Sequence, residues 1–310
     1  MTQFARRIGC LLALALLCSA ARAQCPPGNV SLSSQAQVDN FAATFPDCED
    51  VQGILGIFGT VTDLSPLATI RSVADGLTML PDQLTTATFA GLQSIGGDVL
   101  VTNAPALSSL NFPALVSVDG DVVVTTSPSL TSLNAPMLTS ISGDLFFEVA
   151  SLTALSLQNL ASVESILTTA NSLTSVNLPA LVSIEEFGVF NASTLVSIDL
   201  RQVTSLDTFV LSNNASLSSI DLRNLTSAAL IFVSSNPMLG TCCFLASALQ
   251  SADPANVTIA DNAPGCASIE EILRICVAMA VPAVSGLGLL IIASLLVLLA
   301  LRFRLGYLAN

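Results

Sequence analysis

Regularly spaced carboxylates are the residues of this chain that could do chemistry. Asp98, Asp121 and Asp144 each follow a glycine and recur at 23-residue intervals. If one interval is one turn of a repeating structure, the three acids stand in file, about 4.8 Å apart. A calcium site or a catalytic pair would need such a grouping. The structural alternative is that each Asp caps a tight turn and the glycine supplies the unusual dihedral angles.

The remaining composition disfavours catalysis. The 310 residues include no histidine and no lysine. Polysaccharide lyases and hydrolases with β-helical folds need grouped carboxylates together with Lys, Arg or His. We therefore predict a non-enzymatic protein without catalytic, cofactor-binding or metal-binding residues, and a carbohydrate-active β-helix enzyme is the alternative.

Charge is distributed unevenly along the chain. All 22 acidic residues lie between residues 24 and 280, together with four of the nine arginines, so this region carries 4 − 22 = −18. A surface this acidic repels nucleic acids and anionic lipid headgroups. Nucleic acid is thereby excluded as a partner, and the expected ligand is an unknown protein or glycan.

Both ends of the chain carry membrane-directed segments. Residues 1–23 combine two arginines, an apolar stretch and Ala21-Arg22-Ala23, which is typical of a signal peptide cleaved before Gln24. Residues 283–301 are almost wholly apolar and precede two further arginines, which predicts a membrane-spanning helix with a basic cytoplasmic tail. The region between the two segments is expected outside the cytoplasm.

Six cysteines remain after the predicted cleavage, and they are confined to the flanks of the central region. This distribution predicts disulfides in an oxidising compartment. We favour a bond between Cys25 and Cys48, whereas the pairing of the other four is open. Zinc is disfavoured because histidine and CxxC spacing are absent. The C-terminal four are Cys242, Cys243, Cys266 and Cys276.

Between the flanks, a leucine recurs in steps of 23, 22, 21, 22, 22 and 22 residues. Further apolar residues follow three and eight positions after the first six of these anchors. A serine two residues later is interpreted as a corner residue of each turn. Such a period is the signature of a solenoid, whose turns bury apolar side chains only when stacked. The anchors are Leu107, Leu130, Leu152, Leu173, Leu195, Leu217 and Leu239.

Short β-branched or aromatic runs precede the anchors and predict strands that stack into a parallel sheet. A second short strand is expected at each Leu-x-x-Leu, and the prolines that follow in several turns exclude a helix there. The expected fold is therefore mainly β, a right-handed parallel β-solenoid with short helical disulfide caps, among them a helix at 33–45. The predicted organisation is a signal peptide (1–23), an N-terminal cap (24–52), repeats (53–240), a Cys-containing cap (241–280) and a C-terminal sorting or spanning segment (281–310).

Two resemblances to known families add to this reading. Turns such as Leu130-Thr-Ser-Leu-Asn-Ala-Pro-Met-Leu resemble the receptor L domain, a β-helical fold related to leucine-rich repeats and to repeats of bacterial cell-surface proteins. The C-terminal segment resembles the IPTL-type sorting signal of Gram-negative bacteria. It keeps Pro282, Ser285 and Gly288 but has Gly286 and Leu287 where that family usually has an acidic residue and tryptophan. The second resemblance implies a sorting protease and a transient helix; a permanent single-span anchor is the alternative.

One column of residues could form a partner surface. If the residues eight and six positions before each anchor point inward, the residue seven before points to solvent. This column is apolar over several turns, which exceeds what monomers normally expose. A change of register in the shorter turns or a covering loop is the alternative. The candidate surface comprises Leu100, Val123, Leu145, Ile166, Val210 and Phe232, with Gly188 at the same position of one turn.

The sequence thus predicts an exported, surface-displayed β-solenoid for adhesion, recognition or envelope structure. After C-terminal processing it would reside at the cell surface or be secreted; otherwise it would be a single-pass membrane protein. Besides the enzyme, a eukaryotic type I membrane or anchored wall protein is an alternative.

Overall fold

The computed structural model describes residues 25–169 and 172–276, within which the chain is mainly β with few helices. The predicted signal peptide, the apolar segment at 283–301 and the motif residues Pro282, Ser285 and Gly288 lie outside these ranges. No helix within the described ranges is long and apolar enough to cross a bilayer.

A single long parallel sheet runs from one end of the described chain to the other. Each of its 11 strands except the last pairs with the strand of the following turn, so the order along the sheet is the order along the chain. The sheet extends into both predicted caps. Its strands are Val30–Ser34, Ile54–Thr60, Gly76–Pro81, Asp98–Val101, Val122–Thr125, Asp144–Glu148, Ser165–Thr168, Glu186–Phe190, Ser205–Ser212, Ser227–Ser234 and Val257–Ala260.

Shorter parallel sheets form the other sides of the turns. One contains four strands and a separate one in the later turns contains three, both at the Leu-x-x-Leu positions where a second strand is predicted. These strands are Thr86–Thr88, Ser109–Asn111, Ser132–Asn134, Ala154–Ser156, Ser175–Asn177, Ser197–Asp199 and Ser219–Asp221.

A further sheet of five two-residue strands lies where the sequence analysis placed corner serines. Ser94, Ser117 and Ser140 begin three of these strands, and single bridges continue the file to Ser162 and Ser183. These serines therefore lie in paired strands rather than at corners, so the corner interpretation is wrong. Two residues suffice for a strand here because every turn stacks in the same register. The strands are Asp50–Val51, Ser72–Val73, Ser94–Ile95, Ser117–Val118 and Ser140–Ile141.

The core lies between these sheets and is aliphatic. Every anchor leucine exposes at most 2% of its surface. Rows of Leu, Ile and Val from successive turns contact one another, and a few aromatic pairs such as Phe89 with Phe112 stack in the same way, with ring centroids 5.3 Å apart. Burial of these rows is the main stabilisation of a stacked array, since each turn contacts only its neighbours. The result is a solenoid-like fold.

Helices and disulfides close both ends. The N-terminal helix α1 (Gln35–Thr44) begins after Ser34, whose hydroxyl accepts the N–H of Gln37 at 3.4 Å. At the other end lie a 3-10 turn (Cys243–Leu245), α2 (Ala246–Ser251) and α3 (Ile269–Cys276). Further 3-10 turns are Ser65–Leu67 and Pro254–Asn256. The disulfides are Cys25–Cys48, Cys242–Cys266 and Cys243–Cys276.

Candidate functional site: the outward face of the long sheet

The long sheet carries an apolar column on its solvent side. Val123 pairs with Leu100 on one side and with Phe146 on the other, and the register continues to Leu167 and through Gly188 to Val210 and Phe232. The side chains in this column are half-buried, whereas their strand neighbours are buried in the core. We call this column the outward stripe: Leu100, Val123, Phe146, Leu167, Phe190 over Gly188, Val210 and Phe232.

Two residues of the candidate surface are assigned to the wrong side of the sheet. Leu145 and Ile166 are each only 1% exposed and belong to the core, and Phe146 and Leu167 take their places outside. The cause is a change of register. Phe146 and Leu167 lie six residues before their anchors, whereas Val123 lies seven before Leu130.

The residue that these shorter turns lack is the corner residue, which has a left-handed backbone conformation in other turns. Asn103, Thr126, Asn191, Asn213 and Ser235 each lie four positions before an anchor and have positive φ angles between 47° and 60°. Among residues other than glycine, Asn is one of those that adopt this conformation most readily, and Asn supplies three of these five positions. In the turn that ends at Leu152, strand residue Glu148 is followed directly by the inward Val149, so this corner residue is omitted. In such a shortened turn, the residue seven positions before the anchor is therefore one position away from the outward residue.

Gly188 does not interrupt the outward stripe, because the ring of Phe190 lies over it. A Cβ on Gly188 would come within 2.9 Å of Cε2 of Phe190 and within 2.7 Å of Cδ2 of Leu167. Phe58 covers Gly56 in the same way near the N-terminal end. An aromatic side chain two residues along the strand thus fills the space that the glycine leaves.

An acidic column borders the outward stripe on the side where the strands begin. Asp98, Asp121, Asp144 and Glu186 lie two residues before the stripe residue of their strands, and Ser165 occupies the same position between Asp144 and Glu186. Parallel pairing thus places four carboxylates along one edge of the stripe. We call Asp98, Asp121, Asp144 and Glu186 the acidic column.

Hydrogen bonds link the acidic column from turn to turn. Oδ1 of Asp98 accepts the backbone N–H of Asp121 at 2.9 Å, and Oδ1 of Asp121 accepts that of Asp144 at 2.8 Å. Oδ1 of Asp144 accepts the hydroxyl of Ser165 at 2.6 Å. Each of these three aspartates therefore satisfies a donor of the next turn, which is a structural role close to the turn-capping alternative.

The glycine before each Asp has a different reason from the expected one. Gly97, Gly120 and Gly143 do not have positive φ angles. Instead, a Cβ on Gly120 or Gly143 would collide with the Oδ1 atom of the Asp one turn earlier. Close approach of the preceding turn, rather than an unusual dihedral angle, requires glycine here.

The described residues offer few other electrostatic features. Within the described ranges, no group of three or more His, Cys, Asp or Glu side chains is arranged to hold a metal ion.

Arg201 and Arg223 form ion pairs with Asp199 and Asp221 of their own turns. These hydrogen bonds from arginine lower the pKa of both aspartates, and two hydrogen bonds from Ser65 lower the pKa of Asp63.

Sequence reasoning missed an amide ladder inside the last turns. Oδ1 of Asn214 accepts the N–H of Ala192 at 3.0 Å, and its Nδ2 donates to the carbonyl of Val189 at 3.1 Å. Asn236 and Asn262 repeat this arrangement in the following turns. Asn214 and Asn236 are 0% exposed. The available signal was asparagine at a position that other turns fill with small or apolar side chains.

Comparison with known proteins identifies no relative: no protein-family model, no curated protein and no solved structure matches this chain.

Proposed function

We propose that this chain is an exported, surface-displayed β-solenoid that serves adhesion, recognition or envelope structure and does not catalyse a reaction. We further propose that the solenoid is right-handed and similar to the receptor L domain, and that residues 283–301 form a membrane-spanning helix. The partner would be a protein or glycan.

The outward stripe is the observation that carries this proposal. It places apolar side chains on the solvent side of seven consecutive strands of the long sheet. Scattered apolar residues on a surface need no explanation, whereas a contiguous apolar column is typical of an interaction surface. Half-buried side chains on a sheet also suit recognition, because side chains that are already partly ordered lose little freedom on binding.

Export is supported by the disulfides and by both terminal segments. One disulfide lies in the N-terminal cap and two lie in the C-terminal cap. Such bonds persist in oxidising compartments. The signal peptide expected at 1–23 would deliver the chain there. Proteolytic shaving of intact producing cells should release peptides from 53–240 without lysis; recovery of these peptides only after lysis would refute surface display.

The fate of the C-terminal segment separates two forms of the proposal. If Pro282, Ser285 and Gly288 belong to a sorting signal, a protease removes the helix, and the mature chain ends near residue 280. Pro282→Ala should then trap full-length chain in the membrane. If the helix is a permanent anchor, mass spectrometry should find intact Asn310, and Pro282→Ala should change little because a proline at the edge of a spanning helix is easily replaced.

The acidic column allows a test against the enzyme alternative. Asn in place of Asp121 retains an oxygen acceptor for the N–H of Asp144 but loses the carboxylate. We therefore expect no turnover of pectins, alginates or chitins by the full chain, and a fold unaffected by Asp121→Asn. Cleavage that disappears in Asp121→Asn, with the circular dichroism unchanged, would establish the enzyme instead.

A further inference from the structure

We propose that the outward face of the long sheet binds a basic, amphipathic polypeptide segment. The apolar side chains of this segment would contact the outward stripe, and its Lys or Arg side chains would contact the acidic column. This inference rests on the proposed function, in which the same face is the recognition surface, and it adds the chemistry of the partner.

The charge on this face has one sign. The described strands of the long sheet contain neither lysine nor arginine. Besides the acidic column, Glu164, Glu185 and Asp207 are exposed immediately before the strands or at their start, and Glu148 lies on the opposite side of the stripe. A partner that covers the stripe must therefore approach a row of carboxylates. Cationic side chains offset the cost of removing these carboxylates from water, and neutral or acidic ones do not.

The carboxylates of Asp98 and Asp121 in the acidic column are held in place before any partner arrives. Oδ1 of Asp98 and of Asp121 accepts a backbone N–H of the next turn, which fixes the orientation of each side chain. No hydrogen bond among the described residues uses their Oδ2 atoms, so these oxygens can accept bonds from a guanidinium or ammonium group. Charges fixed in this way bind with a smaller entropic cost than flexible ones.

The apolar part of the face sets the length of the partner. Six strand spacings separate Leu100 from Phe232, a distance of about 29 Å. A helix of about 20 residues has the same length. The half-buried stripe side chains would lose their remaining contact with water under such a segment, which favours binding in proportion to the apolar area covered.

A second copy of this chain is a less suitable occupant. Its described region carries the same net charge of −18, so two copies repel each other. Such a dimer would strengthen as salt screens the repulsion, whereas binding of a cationic segment would weaken. The response to salt therefore separates the two occupants.

The test uses the purified full chain in zwitterionic lipid nanodiscs, with empty nanodiscs as the blank, and three fluorescent 20-residue peptides. One peptide has a leucine face and a lysine face; a second replaces leucine by serine; a third replaces lysine by glutamate. We expect the Lys/Leu peptide to bind most tightly, the Lys/Ser peptide at least about fivefold more weakly, and the Glu/Leu peptide not at all, with affinity falling as NaCl is raised.

Paired variants locate the binding. Val123→Ser with Leu167→Ser, and separately Glu185→Gln with Glu186→Gln, should each weaken binding of the Lys/Leu peptide at least about fivefold. The matched controls lie elsewhere: Val182→Ser with Val196→Ser, whose parent residues are 57% and 46% exposed, and Asp47→Asn with Glu270→Gln in the two caps. The controls should bind like the parent chain.

Four results would overturn the inference. Equal binding of the Lys/Leu and Lys/Ser peptides would indicate charge attraction alone. Equal losses in control and stripe variants would place the site elsewhere. A dimer that forms through Val123 and Leu167 and strengthens with salt would make a second copy the occupant. If no peptide binds but a cross-linker at Val123 still captures a polypeptide on intact cells, the proposed function stands and only the partner chemistry is refuted.

Discussion

Oδ1 of Asp121 accepts the backbone N–H of Asp144, one turn further along the solenoid, at 2.8 Å. The glycine before Asp144 leaves the space that this oxygen occupies. The regular Gly-Asp steps are thus explained by contact between turns, and the carboxylates that could have suggested catalysis contribute to the stacking of the array.

Gly120→Ala should destabilise the array strongly. The new Cβ would lie 2.7 Å from the carbonyl carbon of Gly97, and backbone atoms of a stacked turn cannot move without disturbing the next turn. We expect a loss of about 2–3 kcal/mol in unfolding free energy, measured by urea denaturation. The control is Gly240→Ala, whose Cβ would meet nothing closer than 3.4 Å. Equal, small losses in both variants would contradict the close packing of turns.

Asn236→Ala should cost about 2–3 kcal/mol, because it leaves buried hydrogen-bonding groups of neighbouring turns without partners. The N–H and Nδ2 of Asn214 and the carbonyl of Leu211 all bond to Asn236. Asn224→Ala is the control, since Asn224 is exposed and donates one bond to the carbonyl of Arg201. A thermal midpoint that is lowered no more by the first substitution than by the second would argue against the amide ladder.

Leu195→Asp should unfold several turns, whereas the same change at the adjacent Val196 should be tolerated. Leu195 is 0% exposed and Val196 is 46% exposed. A buried unpaired carboxylate costs several kcal/mol, comparable with the stability of a domain. Circular dichroism and resistance to protease report the difference. If both variants keep the parent spectrum and resistance, the anchor ladder does not support the fold.

The ion pair of Asp199 with Arg201 should give a small stabilisation that depends on pH. The lowered pKa of Asp199 means that this stabilisation is fully present above the ordinary value of 3.8 and is lost as the pH falls through the lowered pKa. Because the pair is partly exposed, Asp199→Asn should lower the thermal midpoint by only about 1–2 °C at pH 7. The difference from the parent should vanish in strong acid; one that persists unchanged would assign it to another cause.

The strands and the core were predictable because the repeat is visible in the sequence. The spacing of Leu107, Leu130 and the later anchors indicates stacked turns, and alternation within each short run indicates which side faces the core. The side-chain assignment failed where one corner residue is missing. Leu145 and Ile166 illustrate this limit: a strand inverts its faces with a one-residue shift, and the anchor spacing alone does not reveal where a turn is shortened.

Interactions between turns were harder to predict than the turns themselves. The carboxylate of Asp98 and the N–H of Asp121 are 23 residues apart in sequence, and only the register of the long sheet brings them together. The same holds for Asn214 and Asn236, whose buried hydrogen bond depends on the orientation of the side chains at one corner of each turn. Local sequence patterns report propensity and periodicity, whereas these contacts depend on tertiary register.

The most direct test of the account is photo-cross-linking on intact producing cells, with a benzophenone amino acid in place of Val123 on the outward stripe or, as a control, of Val182. The account predicts a discrete adduct heavier than the chain itself from position 123 and none from position 182. Absence of any adduct from position 123 in chain that is displayed on the cell surface, or equal adducts from both positions, would contradict the assignment of the outward stripe as the recognition surface.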